Sequence, residues 1–203
     1  MNKINGLIVL GFAAMLCACG GSENAVYTAD MNKLRLEKDS MFKVDTAHSP
    51  LRFDSTFEHL NYFPANEDWI VQADFAVEQG KLIVIKDTKG MARDYVVYGK
   101  LTATVPTGKI ELYAFRNGNE PYLFIPFIDA TSTNGKSYGG GRFLETDMPD
   151  ENMKVTLDFN SAYNPYCHYN HDYSCPIVPS ENKLKVEILA GEKKYKDLKE
   201  DNH

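Results

Sequence analysis

Ile110–Phe127, IELYAFRNGNEPYLFIPF, decides the fold. Two apolar runs, Ile110 to Phe115 and Tyr122 to Phe127, flank Asn117-Gly118. Asn-Gly supplies the positive φ angles that a tight hairpin turn needs, so the stretch reads as two antiparallel strands. Pro126 lies inside the second run. Proline donates nothing to a ladder, so this strand is expected at an edge or at a bulge.

Reading outward, the strand signals continue on both sides. Upstream, Trp69, Val71, Ala73, Phe75 and Val77 alternate with Ile70, Gln72, Asp74, Ala76 and Glu78. Gln79-Gly80 turns this run into Leu82 to Ile85, and Lys89-Gly90 leads to Tyr95 to Val105, which Pro106 ends. Downstream, a loop from Thr131 to Gly141 precedes strands at about Arg142 to Glu145, Val155 to Phe159 and Leu184 to Leu189. Many short strands with tight turns predict a mainly β domain, an antiparallel β-barrel or β-sandwich. One N-terminal helix is expected over Asp30 to Phe42, capped by Asp30 and broken by His48-Ser49-Pro50. Phe57 to Pro64 is aromatic without a clean period and reads as irregular core lining.

Between the last two strands runs a long loop with four tyrosines, three prolines and two cysteines. The whole span from Asp158 to Glu192 reads as an ordered flap. Loops this long are functional or disordered, and this one is too aromatic for disorder.

The chain has 203 residues and a formal net charge of −6, which suits one domain with a solvated surface. Acidic and basic residues are interspersed, and without a basic stripe nucleic acid is excluded as a partner. Lys3, the apolar run Ile4 to Leu16 and Leu16-Cys17-Ala18-Cys19 form an export signal too short to span a bilayer. They resemble a lipobox, with residues 1–18 removed and Cys19 carrying the lipid. A plain secretory signal cut near Ala18 is the alternative. Residues 19–28 then read as a polar tether, 29–195 as the domain and 196–203 as a charged tail. The expected location is the bacterial cell envelope, with the lipid as the membrane element, since more than one acyl chain anchors stably. Cys167 and Cys175 remain, and a pair in an exported protein reads first as a disulfide.

Several longer motifs carry a resemblance. They are Phe127-Ile128-Asp129-Ala130-Thr131-Ser132, Tyr138-Gly139-Gly140-Gly141-Arg142-Phe143-Leu144 and Asp158-Phe159-Asn160-Ser161-Ala162-Tyr163-Asn164-Pro165, followed by Cys175-Pro176, Pro179, Glu181-Asn182 and Ala190-Gly191-Glu192. Tyr62-Phe63-Pro64 and Tyr98-Gly99 also fit. The chain resembles domain-of-unknown-function family 1684 over nearly its whole mature length. The resemblance implies a compact, mostly β bacterial domain without an established activity or catalytic residues. Cys167 and Cys175 stand where the family's cysteines are expected; His168 and His171 do not belong to its pattern.

The candidate chemistry follows from residue type. Arg142 is expected either to pair with Asp158 or to grip an anionic group bidentately, in a site shared with Asn160, Tyr163, Asn164 and Tyr166. Asp158 and Asn160 would share a strand face. The structural alternative has the Asp and Asn side chains satisfying loop amides. Glu181, Asn182 and Glu192 complete the polar candidates, and with Asp158 they could supply a hydrolase's acid and base. Cys167, His168, His171 and Cys175 could surround a zinc ion, but the spacing is unusual; Cys167 alone could serve a thiol-dependent enzyme. Asn134-Gly135-Lys136-Ser137 imitates a phosphate loop without its first glycine or its helix. No Gly-x-Ser-x-Gly elbow occurs. No cofactor is expected. The expected function is binding of a small polar ligand or an envelope partner; an enzymatic or a purely structural role is the alternative.

Overall fold

The computed structural model describes residues 20–78, 81–116 and 119–196. The leader with Cys17 and Cys19, the turns at Gln79-Gly80 and Asn117-Gly118, and residues 197–203 lie outside the described residues.

Seven strands form one antiparallel sheet: β1 (Ile70–Val77), β2 (Leu82–Lys86), β3 (Ala92–Val105), β4 (Gly108–Arg116), β5 (Tyr122–Phe127), β6 (Arg142–Asp147) and β7 (Lys154–Asp158). The order is β6-β5-β4-β3-β1-β7, and β2 pairs with β3. Val96 of β3 faces Leu82 on one side and Arg116 on the other, so β2 continues the line of β1 along the 14-residue β3. The sheet curls into a half-barrel. Its end strands approach closely enough for Thr146 Oγ1 to donate to the Thr156 carbonyl at 2.6 Å. Among the described residues there is one curved sheet, so the two-sheet sandwich gives way to the barrel-like form.

Alternation along the strands fills the inside. Ala73 and Phe75 of β1, Leu101, Ala103 and Val105 of β3, Ile110, Leu112 and Ala114 of β4, and Val155 and Leu157 of β7 all belong to one buried cluster. These are the period-two positions, one face of each strand.

Three expectations about the elements are corrected. First, the helix is longer than expected. It runs from Gly20 to Val44, so residues 20–28 of the expected tether are helical and Asp30 lies inside the helix rather than capping it. A second apolar cluster, Phe42, Leu51, Phe57, Leu60 and Tyr169, docks it. Burying a large apolar side chain contributes roughly 1.5–3 kcal/mol, so tertiary packing sustains a segment whose own sequence carries no stop before Val44. We call it α1. Second, Leu184–Leu189 is not a strand. It is an extended strap that bonds side-on to the 128–130 segment, Leu184 N to Ile128 O at 2.7 Å and Ala130 N to Val186 O at 2.9 Å. Third, β5 lies inside the sheet, between β4 and β6. Pro126 is tolerated there because a side chain substitutes for the ladder. Phe115 faces Phe124, and that register would set Tyr113 opposite Pro126. Asn182 sits between them. Its Oδ1 accepts from Tyr113 N at 2.7 Å, and its Nδ2 donates to the carbonyls of Tyr113 (2.9 Å) and Pro126 (2.7 Å).

The 131–141 loop opens with one helical turn, α2 (Ala130–Thr133), capped by Asp129. It ends at Gly141, whose φ is +93°. A Cβ there would stand 2.5 Å from the Phe127 carbonyl oxygen, so the close backbone approach expected at this turn requires glycine.

Candidate functional site

Arg142, the first residue of β6, points into the barrel end and is completely buried. Its partner is Asp129, not Asp158. Nη2 donates to Asp129 Oδ1 at 3.1 Å and to the Ile188 carbonyl at 2.9 Å, and Nη1 donates to the carbonyls of Ala190 and, at 3.2 Å, Glu192. Asp129 Oδ2 accepts from Ile188 N at 2.6 Å. The pair therefore pins the strap through its own backbone. A guanidinium with these partners has no approach for an external anion, so the bidentate ligand grip fails. Desolvation lowers the Arg142 pKa, and Asp129 opposes that.

Asp158 closes β7 and faces the opposite surface. It accepts from the Tyr27 hydroxyl of α1 at 2.8 and 2.9 Å and from Asn160 N at 2.9 Å. Burial, then the Asp158 carboxylate, pushes the Tyr27 hydroxyl pKa up. Asn160 follows in a 3-10 turn, Phe159–Ser161, so it does not share a strand face with Asp158. Its amide brackets Asn66, accepting from N at 3.0 Å and donating to O at 2.9 Å. Asn164 donates from Nδ2 to the Lys193 carbonyl at 2.9 Å. With Asn182 splicing β4 to β5, three of the polar candidates satisfy loop and strand backbone.

The carboxylates do not converge as an acid–base pair. Glu181 is exposed and accepts from Ser180. Glu192 is buried and takes Lys38 Nζ at 2.6 Å, Asn164 N at 2.9 Å and the Tyr169 hydroxyl. Burial, and next the charge of Glu192, raises the Tyr169 pKa. Beside Glu192, Arg35 donates to the Phe63 carbonyl at 3.0 Å and stacks on Tyr62 at 4.5 Å. α1 is thus docked by its polar residues as well as by Met31 and Phe42.

Cys167 and Cys175 lie side by side, with Cys167 N donating to Cys175 Sγ at 3.2 Å. Both side chains are buried thiols here. The hydrogen bond with Cys175, then burial, raises the Cys167 pKa. A neutral buried thiol is a poor nucleophile. His168 Nε2 accepts from Tyr195 N at 3.0 Å, and its ring lies 4.3 Å from that of Tyr138. His171 is exposed. Among the described residues no three metal-capable side chains gather, which corrects the zinc candidate of Cys167, His168, His171 and Cys175.

The flap is ordered by short 3-10 turns at Tyr166–His168 and Ser180–Asn182, and by the tip of the β2–β3 hairpin. Thr88 N donates to the Cys175 carbonyl at 3.0 Å and Ile177 N to the Lys86 carbonyl at 2.9 Å. Its start is paired with β6 through the reciprocal Phe143–Tyr163 bonds of 2.8 and 2.9 Å. These contacts leave a cleft of about 460 Å³ beneath the flap, lined chiefly by Lys38, Phe143, Tyr163, Tyr166, Tyr173 and Ser174. The rings stand edge to face, Tyr166–Tyr173 at 5.2 Å and Phe143–Tyr163 at 5.9 Å. Lys38 reaches in from α1, with Nζ 5.2 Å from the Tyr163 ring centre. Tyr163 donates its hydroxyl to Glu145 at 2.6 Å. Of the candidates from sequence, Tyr163 and Tyr166 line this cleft and Arg142 does not.

Sequence reasoning missed Lys38 and Asp129. No local pattern marks Lys38, one lysine of several on the helix. Asp129 sits inside a quoted motif, before a Thr-Ser pair it could cap, and that was its only signal.

The family description "protein of unknown function (DUF1684)" matches residues 55–193. The chain belongs to this family. Five solved chains match; one is the solution NMR structure of an uncharacterised protein of Haloarcula marismortui. That protein is 30% identical, with a TM-score of 0.62 over 83% of this chain and 95% of its own. No curated protein matches. In this DUF1684 chain, α1 and with it Lys38 precede the matched segment, so the cleft is built partly outside it.

Proposed function

We propose that this protein is an envelope-anchored binding domain whose ligand occupies the cleft under the flap. The carrying observation is the cleft itself: four aromatic side chains and one ammonium converge on it from β6, the flap and α1. Small-molecule sites have this character, mostly apolar walls with a few placed polar groups. The buried polar residues around it fix the geometry of the walls.

The anchor is the lipobox cysteine, Cys19. In sequence Cys19 directly precedes α1. Lys38, on α1, belongs to the ligand wall.

Two substitutions test the reading. Cys19→Ser should move the protein from the membrane to the soluble fraction. Tyr166→Ala, at a residue 37% exposed, should leave the fold intact and weaken the hits of a small-molecule thermal-shift screen. Hits that survive Tyr166→Ala unchanged would place the binding elsewhere.

A further inference from the structure

The charges around the cleft discriminate between ligands. Among the described residues Lys38 is the only charged side chain in its wall, and Glu192 at 2.6 Å balances it. An ammonium has three donors, and among the described residues Lys38 uses one. Donors therefore remain for an acceptor, but no net positive charge remains for an anion.

The groups behind the walls act in the same sense. Glu145 stands behind the Tyr163 hydroxyl, and the charge of Asp45 reaches Tyr166. An anionic ligand meets these carboxylates as well as buried Glu192. A cationic ligand meets Lys38, and Arg52, which bonds the Tyr173 hydroxyl at 3.1 Å. An anion finds Lys38 already paired with Glu192, and a cation finds Glu192 already paired with Lys38, so neither gains a free counter-charge from that pair. The ring faces favour a flat apolar surface by dispersion and edge-to-face contact. Ser174 lines the cleft, and its buried hydroxyl oxygen has no hydrogen-bond partner among the described residues.

We propose that the cleft takes an uncharged ring-bearing molecule, with one flat apolar face against the tyrosines and one acceptor oxygen on Lys38. This rests on the binding reading above. An aromatic amide and an N-acetylated sugar share that chemistry.

The test is an NMR titration of the purified protein with benzamide, benzoate, benzylamine and N-acetylglucosamine, followed on the tyrosine rings and the Lys38 side chain. The expected result is that benzamide or N-acetylglucosamine binds at least about tenfold more tightly than benzoate and benzylamine. Whichever of the two binds better identifies the source as an aromatic or a sugar. Lys38→Arg, which keeps the charge opposite Glu192 but lengthens the donor, should weaken the neutral probe about fivefold. Tyr166→Ala should weaken it as much without touching Glu192. Equal binding of the three benzene probes, or a preference for either ion, overturns the neutral-ligand proposal and leaves the binding domain standing. No perturbation of the cleft by any probe counts against both.

Discussion

Arg142 Nη2 donates to Asp129 Oδ1 at 3.1 Å with both side chains wholly inside the protein. Neither residue touches solvent, and together they hold the backbone of Ile188, Ala190 and Glu192. The pair's function is to fix the strap, and through Glu192 the cleft wall.

Removing one partner leaves the other buried with its hydrogen bonds but without its counter-charge. Asp129→Asn or Arg142→Met should lower stability by about 3–5 kcal/mol, read from the denaturant midpoint. A loss below about 1 kcal/mol would show that the strap is held by packing instead.

Asn182→Ala should open the seam between β4 and β5. It leaves Tyr113 N, Tyr113 O and Pro126 O without partners, at about 1–3 kcal/mol for each group that water cannot reach. Amide exchange at Tyr113 should quicken selectively. Unchanged protection at Tyr113 would mean that the strands close over the gap.

Gly141→Ala combines a positive φ with a backbone clash, because the nearest atom is the Phe127 carbonyl oxygen at 2.5 Å. The variant should lose at least about 2 kcal/mol, since strain of roughly 1–3 kcal/mol adds to the shift of β5. Gly135→Ala is the control. Its φ is +80° but nothing lies within 4 Å, so it should lose less.

The C-terminal clasp should respond to acid. Tyr195 donates to Asp54 at 3.1 Å, and Lys196 pairs with the same carboxylate. Desolvation alone would raise the Asp54 pKa, but hydrogen bonds from Lys196, Thr56 and Tyr195 outweigh it and hold it at about 2, below the ordinary 3.8. The folded value is depressed, so the clasp contributes fully above about pH 4 and is lost as pH falls through about 2. A carboxyl titration of Asp54 by NMR, with the Tyr195 ring as reporter, checks this. A midpoint near 4 would show that the clasp is absent in solution.

Protein matured in an oxidising compartment should contain a Cys167–Cys175 disulfide. The two thiols already hydrogen-bond each other, and closing the short loop contributes roughly 2–3 kcal/mol by restricting the unfolded chain. Thiol counting after unfolding without reductant should give none from this pair. A count of two would leave the cysteines as packed thiols.

The strands were legible because period two along β1 and β3, together with Asn117-Gly118, is a local signal. α1 was read too short because nothing local marks a helix start before Asp30; Tyr27, which docks on Asp158, is a contact that only the fold supplies. Leu184–Leu189 looked like a strand because a core-facing extended segment has the same apolar alternation whether its backbone bonds run to a sheet or to a loop. Pro126 pointed to an edge because no rule of local sequence supplies Asn182, 56 residues away, as a substitute ladder.

The polar candidates divide in the same way. Asn160, Asn164 and Asn182 were recognisable as loop asparagines, and their side chains do hold backbone. Arg142 was recognisable as special, yet its partner was misassigned. Asp129 and Asp158 are equally acidic in sequence, and only the curl of the sheet places one against the guanidinium and the other under Tyr27.

The sequence by itself determined that the core is β, because alternation needs no distant partner. It also determined that the turn into β6 needs glycine and that the flap, rich in tyrosine, would be ordered. Tertiary structure decided which charges meet, what the strap binds, and that Lys38 reaches the flap from the helix. Those outcomes depend on long-range closure, where desolvation forces each buried charge to find a partner, and the partner is whichever side chain the folded sheet brings within about 3 Å.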